Sequence, residues 1–122
     1  MNAHKIDAIL DDLNEVSGID GIILANEKVE IIRQKWNSDS AALEQFQSLI
    51  KNAVEIIQAF AGEISHAKLD SMLHEGTFGK IFIIAMPEHN LIVIIFGNST
   101  LNVGMAKATV DQYAKSSSSQ KL

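Results

Sequence analysis

Three side chains that could bind a metal ion or transfer a proton recur every four residues, at His66, Asp70 and His74. Imidazole and carboxylate groups are common zinc ligands and common general acids or bases. We predict a strand over residues 63–75, on which neighbouring members of this set lie about 13 Å apart. Ligands of one zinc ion must all lie within roughly 2.2 Å of it. We therefore interpret the set as a solvated or dimer-facing strand surface.

Other candidates for chemistry are few. The chain has no Gly-x-x-x-x-Gly-Lys-Ser/Thr loop, no Gly-x-Gly-x-x-Gly fingerprint, no Gly-x-Ser-x-Gly elbow and no His-Glu-x-x-His. His4 and His89 are expected at the surface, and Trp36 is expected to pack beneath a loop or, if exposed, to anchor a partner. Arg33, the only arginine, falls within a predicted strand and is a poor candidate for an arginine finger. We predict no catalytic residues, no metal site and no cofactor.

Composition narrows the class of protein. A chain of 122 residues with 47% hydrophobic content predicts one domain with a substantial core. The net charge of −5 and the scattered lysines argue against nucleic acid as a partner. The absence of cysteine excludes disulfides and fits a reducing compartment. The start of the chain mixes charges into an amphipathic pattern, and the apolar runs are far shorter than the ~20 residues of a membrane span. We predict a cytoplasmic protein without a signal peptide or membrane span.

The elements that would position these residues follow from hydrophobic periodicity. Apolar residues at helical spacing predict a first helix over 4–17, ending near Gly18. Residues 19–34 predict two antiparallel strands around the polar turn Asn26–Lys28. Two nearly continuous apolar runs, 81–86 and 91–96, predict a hairpin. Because antiparallel strands usually alternate in polarity, this hairpin must be covered on both faces.

A long amphipathic helix is predicted over residues 40–61. Its apolar arc of roughly 160° is wider than the ~100° stripe that seats a helix on a sheet. The extra margin, at Ala42, Leu49 and Ile56, is expected to meet a second surface, such as another helix or another chain. The opposite side is mostly uncharged. Such a side is usually only solvated, but interface cores are depleted in charge, so it is also a candidate partner surface. It consists of Gln45, Ser48, Asn52, Glu55 and Ala59.

The remaining segments complete the predicted architecture. Residues 63–75 predict an edge strand, and a last helix follows, with a weak apolar face formed by Leu101, Met105, Ala108 and Tyr113. We assign residues 1–115 to a single domain and residues 116–122 to a polar, disordered tail. The order α-β-β-α-β-β-β-α predicts an α+β fold, a three-layer α/β/α arrangement around a five-stranded antiparallel sheet. The long helix covers one face, the two terminal helices cover the other, and the hairpin lies near the sheet centre.

The chain resembles the Roadblock/dynein light-chain family over residues 4–115, which implies a roadblock (profilin-like) fold. "LNEVSGIDGIILAN" is similar to the family's first helix and Gly-containing strand, and "KIFIIAMPEHNLIVIIFGN" is similar to its central hairpin. "STLNVGMAKATV" resembles its Asn-x-Gly opening of the last helix. Profilin-like, longin and small sensor domains share much of this pattern. The turn Asn26–Lys28 departs from it, because many relatives have a glycine there after an acidic residue.

The resemblance implies a homodimer in which the long helices lie side by side and the edge strands pair into one continuous sheet. The implied dimer interface comprises Ala42, Leu49, Ile56, His66, Lys68 and Asp70. The resemblance also implies a non-catalytic scaffold or regulator that binds a small Ras-like GTPase. The implied GTPase platform is the uncharged stripe at Gln45, Ser48, Asn52, Glu55 and Ala59. Two alternatives stay open: a small-ligand sensor of a related sheet fold, and an adaptor in a larger complex without a GTPase.

Overall fold

The computed structural model of this chain describes residues 3–26, 28, 30–37, 55, 71–76, 79–86 and 89–120, with side chains of the C-terminal helix described as far as Tyr113. The described elements occur in the predicted order, and the α+β class is confirmed. They are a first helix, Ala3–Asn14; strands β1, Ile19–Asn26, β2, Ile31–Trp36, β3, Ser71–Gly76, β4, Gly79–Met86, and β5, Leu91–Gly97; and a C-terminal helix, Val103–Gln120.

The strands form one antiparallel five-stranded sheet in the order β2-β1-β5-β4-β3. Strand β5 is central, and every one of its residues is buried. This position explains the continuous apolar run from 91 to 96, since a strand covered on both faces has no side left for polar residues. The predicted central hairpin is therefore confirmed. Strands β2 and β3 are the two edges, and β3 was predicted as an edge.

One face of the sheet, called here the first face, carries both described helices. The first helix and the turn after it bury the predicted side chains Ile6, Ile9, Leu10, Leu13 and Val16. These pack on Ile22, Leu24, Phe82, Ile84, Val93 and Ile95 of the sheet. The C-terminal helix contributes Ala106 and Val110 to the same cluster. The two terminal helices thus share a face, as predicted.

The predicted apolar face of the C-terminal segment is only partly right, since Leu101 is buried and Tyr113 packs against the same cluster, but the rest of that face is exposed. Met105 is 54% exposed and Ala108 is exposed, whereas Ala106 and Val110 are buried. The start of the helix determines which of its residues face the sheet. Asn102 is the N-cap, and its Oδ1 accepts a hydrogen bond from the Met105 amide at 3.0 Å. Residues at 106, 110 and 113 then lie along one side of the helix.

The same helix continues to Gln120. The helix therefore overlaps residues 116–120, and the limits of the domain, 1–115, and of the tail, 116–122, stay predictions. Serine has only a moderately poor helix propensity, and extending an existing helix is much easier than nucleating one.

The second face of the sheet is almost wholly apolar. Its buried residues are Ile23, Ile81, Ile83, Ile92, Ile94 and Phe96, with Trp36 and Ala85 partly buried beside them. This is the face predicted to receive the long helix over 40–61. That helix lies outside the described residues, apart from Glu55, which is helical and exposed. The strand predicted over 63–75 is described only from Ser71 onward.

The β1–β2 turn is organised by Asn26. Its Oδ1 accepts hydrogen bonds from the amides of Lys28, at 2.9 Å, and Glu30, at 3.0 Å. Its amide donates to the Glu30 carbonyl at 3.0 Å. The turn therefore extends to Glu30, beyond the predicted Asn26–Lys28. The register of the two strands also shifts between Leu24 and Ala25, which marks a β-bulge.

Candidate interaction surfaces

Most residues of the two predicted surfaces lie outside the described residues. They are Ala42, Gln45, Ser48, Leu49, Asn52, Ile56, Ala59, His66, Lys68 and Asp70. Glu55 is the one member that is described, and its side chain is exposed. The assignment of these residues stays a prediction.

The His66, Asp70 and His74 set is described only at His74. This residue is exposed in β3, opposite Ile81 of β4. In the described part of the chain, no group of three or more His, Cys, Asp or Glu side chains could hold a metal ion. His89 lies partly buried in the turn between β4 and β5, so the surface position predicted for it is only partly right.

The β3 edge is open and carries an exposed apolar residue. Leu73 is 40% exposed, and His74, Glu75 and Gly76 are exposed as well. Leu73 pairs with Phe82, which places it on the first face of the sheet. The ladder to β4 runs without a register shift, and the strand, SMLHEG, contains no proline, lysine or arginine. Within Ser71–Gly76, neither a proline, a basic residue nor a bulge therefore opposes pairing with another strand.

The β2 edge is different because two basic side chains lie along it. Arg33 Nε is 3.7 Å from Asp7 Oδ1, and Lys35 Nζ is 3.2 Å from Asp11 Oδ1. Both pairs tie the edge strand to the first helix. Arg33 Nη1 also donates to the Ile32 carbonyl at 3.0 Å. The guanidinium is thus engaged within its own strand, consistent with the prediction that Arg33 lies in a strand.

Trp36 is the last residue of β2, and it packs on the second face of the sheet. Its ring centroid lies 5.2 Å from that of Phe96, with the two planes tilted by 36°. Its Nε1 donates to Gln34 Oε1 at 2.9 Å. Opposite it in β1 is Gly21, where an added Cβ would lie 2.8 Å from Trp36 Cδ2 and closer still to the outer ring carbons. The ring therefore uses space that only a glycine leaves open.

Two described acidic or phenolic groups have shifted pKa values. Burial, together with a hydrogen bond to Asp12 and the negative charges of Asp12 and Asp11, raises the pKa of Tyr113 to about 12. The Tyr113 hydroxyl donates to the Asp12 carboxylate and so links the C-terminal helix to the first helix. Burial also raises the pKa of the Asp20 carboxyl.

Among the described helices, none is both long and apolar enough to cross a bilayer.

A five-stranded antiparallel sheet with two terminal helices on one face and an apolar second face defines an α+β protein of the roadblock and profilin-like class. The Roadblock/LC7 domain family matches residues 5–96, and the chain belongs to this family. The family resemblance and fold expected from the sequence are thereby confirmed.

Solved structures with a similar fold come from several bacteria. MglB of Myxococcus xanthus is 13% identical, with a TM-score of 0.68 over 94% of this chain and 93% of that chain. MglC of the same organism is 10% identical, with a TM-score of 0.68 over 91% and 94%. The gliding protein MglB of Thermus thermophilus is 17% identical, with a TM-score of 0.62 over 93% and 87%. At these identities the likeness establishes the fold alone. The comparison with curated proteins gave no match.

Proposed function

We propose that this chain is a non-catalytic, homodimeric scaffold or regulator that holds a small Ras-like GTPase against its paired long helices and modulates the nucleotide cycle of that GTPase. Membership of the Roadblock/LC7 family over residues 5–96 carries the proposal. Roadblock-family domains are generally regulators or scaffolds, so the chemistry would belong to the partner. A cytoplasmic location stays a prediction that fits the cysteine-free sequence.

The contrast between the two sheet edges supports a dimer formed through β3. An unprotected strand edge presents unpaired amide and carbonyl groups and readily pairs with another strand. Strand β3 is the last strand of the described sheet, and Leu73, at 40% exposure, would bury more apolar area against a second copy. Self-association also occurs in a protein of this fold, since one MglB structure has a tetrameric arrangement.

The predicted long helix supports the same interface. Its apolar arc is wider than one sheet needs, and a second copy of the helix would cover the margin at Ala42, Leu49 and Ile56. The family resemblance implies that pairing of β3 with its copy would bring the two long helices side by side. The uncharged stripes of the two helices would then form one platform.

Regulation by such a platform requires unequal binding to the states of the partner. A surface with the same affinity for the GTP-bound and GDP-bound forms shifts neither population. An arginine finger from Arg33 is a weaker mechanism, because this side chain is paired with Asp7 and donates to the Ile32 carbonyl. We therefore infer that this protein acts by differential affinity or by positioning the partner's own groups.

The alternative, a small-ligand sensor, requires a cavity between the sheet and a helix. The filled apolar clusters on both faces of the sheet disfavour it. Native mass spectrometry of the purified protein separates the two functions. A stoichiometric copurified small molecule, with no GTPase recovered from a native lysate in either nucleotide state, would contradict our proposal.

The dimer is tested first by light scattering on the wild-type chain. A stable monomer at tens of micromolar would remove the shared platform and with it the proposed mode of binding. If the protein is a dimer, Leu49→Asp places a charge in the predicted seam between helices. We expect it to cost at least ~2 kcal/mol of association, roughly a 30-fold rise in the dissociation constant. Leu73→Asp should weaken the same dimer at the β3 edge.

Ser48→Asp is the matched control, because residue 48 lies about 100° from residue 49 around a helix. The sequence places it on the polar side. We expect it to leave the dimer intact while weakening GTPase binding, measured by calorimetry in each nucleotide state. Equal loss of self-association in Ser48→Asp and Leu49→Asp would show that the faces of the long helix are wrongly assigned.

A further inference from the structure

The described sheet has two edges, and the proposed dimer uses only β3. We propose that the other edge, β2, is a second self-association surface that Arg33 and Lys35 hold closed, and that the strand it would accept is β2 of another copy of this chain. This inference goes beyond the proposed function, since it concerns the edge that the dimer does not use.

Part of the β2 backbone points away from the described sheet. In an antiparallel ladder, hydrogen-bonded pairs alternate with non-hydrogen-bonded pairs. The Asn37 amide donates to the Asp20 carbonyl at 2.9 Å, so the pairs of β1 with Lys35 and Arg33 are of the hydrogen-bonded kind. The intervening residue Gln34 therefore directs its amide and carbonyl away from β1, toward the side of β2 on which no described strand lies.

Symmetry dictates which side chains would then meet. Two β2 strands pairing about a two-fold axis at Gln34 would place Arg33 of each copy directly opposite Lys35 of the other. Both residues lie on the first face, where they reach Asp7 and Asp11 of the first helix. Two like-charged pairs directly opposite one another oppose strand pairing. Basic residues are also a common means of blocking sheet edges.

Arg33 also occupies a backbone hydrogen-bond acceptor of β2. Its Nη1 donates to the Ile32 carbonyl at 3.0 Å, at the bulge where the β1–β2 register shifts. This acceptor is thus already engaged by a side chain of its own strand. The ion pair with Asp7 holds the guanidinium on the first-helix side of the edge.

One residue favours association if the charges are removed. Ile31, at the start of β2, is 46% exposed. It is one of three large apolar side chains that are exposed among the described residues. A β-branched residue is well suited to cross-strand packing. The β2 edge therefore has one exposed apolar residue, Ile31, that favours association, and two basic residues, Arg33 and Lys35, that oppose it.

The test is an Arg33→Thr/Lys35→Thr double variant, compared with the wild type by sedimentation velocity over a concentration series. Both side chains are substantially exposed, so the fold should persist, which far-ultraviolet circular dichroism checks. Loss of two opposed like-charge pairs is expected to raise the association constant roughly tenfold. Because the double variant is compared with the wild type, the test applies whether the wild type is a monomer or a β3-mediated dimer. An unchanged association constant would overturn the proposal.

Matched variants separate edge pairing from a general effect of charge. Lys28→Gln/Lys107→Gln removes the same charge from exposed positions off the edge and should leave association unchanged. Asp7→Asn/Asp11→Asn keeps both cations on the edge without their partners and should also stay at the wild-type level. Adding Ile31→Lys to the Arg33→Thr/Lys35→Thr double variant should return association to the wild-type level. Increased association in either control, or failure of Ile31→Lys to reverse the effect, would show that the β2 edge is not responsible.

Discussion

The contact between Gly21 and Trp36 gives the sharpest test of the described packing. In the structure, an alanine Cβ at position 21 would lie 2.8 Å from Trp36 Cδ2 and nearer to two other ring carbons. The ring must then leave its present position, 5.2 Å from the centroid of Phe96. Overpacking of a filled site typically costs about 1–3 kcal/mol. Part of this cost is offset because alanine is favoured over glycine inside a strand by roughly 0.5–1 kcal/mol. We expect Gly21→Ala to lower the free energy of unfolding by about 1–2 kcal/mol.

The assay is urea unfolding followed by the fluorescence of Trp36, the only tryptophan, and by circular dichroism. The decisive control is the same substitution in a Trp36→Ala background, followed by circular dichroism alone. There the clash is gone, and Gly21→Ala should become stabilising by roughly 0.5 kcal/mol. The two substitutions would thus be coupled by about 2 kcal/mol, within the range for residues in contact. A destabilisation of equal size in both backgrounds would refute the assignment of the cost to the ring.

Two further predictions concern the C-terminal helix. The Tyr113 pKa of about 12 exceeds its usual value of 10.0, so its neutral form stabilises the fold below pH 10, and this contribution is lost as the pH rises from 10 to about 12. Tyr113→Phe should therefore flatten the fall in unfolding free energy over that range in circular-dichroism titrations, and an unchanged slope would count against the Asp12 contact. Asn102→Ala removes the cap on the Met105 amide and should cost about 1 kcal/mol in urea unfolding. Asn102→Asp should retain most of that stability, and similar losses for both variants would argue against a capping role.

Local patterns were sufficient to predict most of the described fold. The uninterrupted apolar runs at 81–86 and 91–96 require cover on both faces, and β4 and β5 lie where that requirement places them. The first helix buries the residues that its periodicity selected, from Ile6 to Leu13. Mixed polarity before Gly76 correctly indicated an edge strand. These features depend on side chains close together in the sequence, which is why a periodic pattern reports them.

Features that join distant parts of the chain were not predicted. The contact of Trp36 with Phe96 and Gly21 depends on strand register, which no local pattern gives. The predicted face of the C-terminal helix was wrong at Met105 and Ala108, because Leu101, which precedes the helix, was counted in its periodicity. Asn102, a residue type that often caps helices, was the signal that could have corrected it. The predicted dimer and GTPase surfaces depend on a second chain, so burial within one chain could not have defined them.

Strand β5 occupies the middle of the sheet, yet its neighbour β1 comes from the opposite end of the sequence. A ribosome would therefore release the first helix and the β1–β2 hairpin well before their central partner has been synthesised. Until then, the Ile22, Leu24 and Leu13 side chains have no completed core to enter. Isolated hairpins are marginal in water, and such long-range pairing is slow to form. While the N-terminal half lacks its partner strand, we expect it to associate most readily with other chains, and the charges of Arg33 and Lys35 would oppose that association.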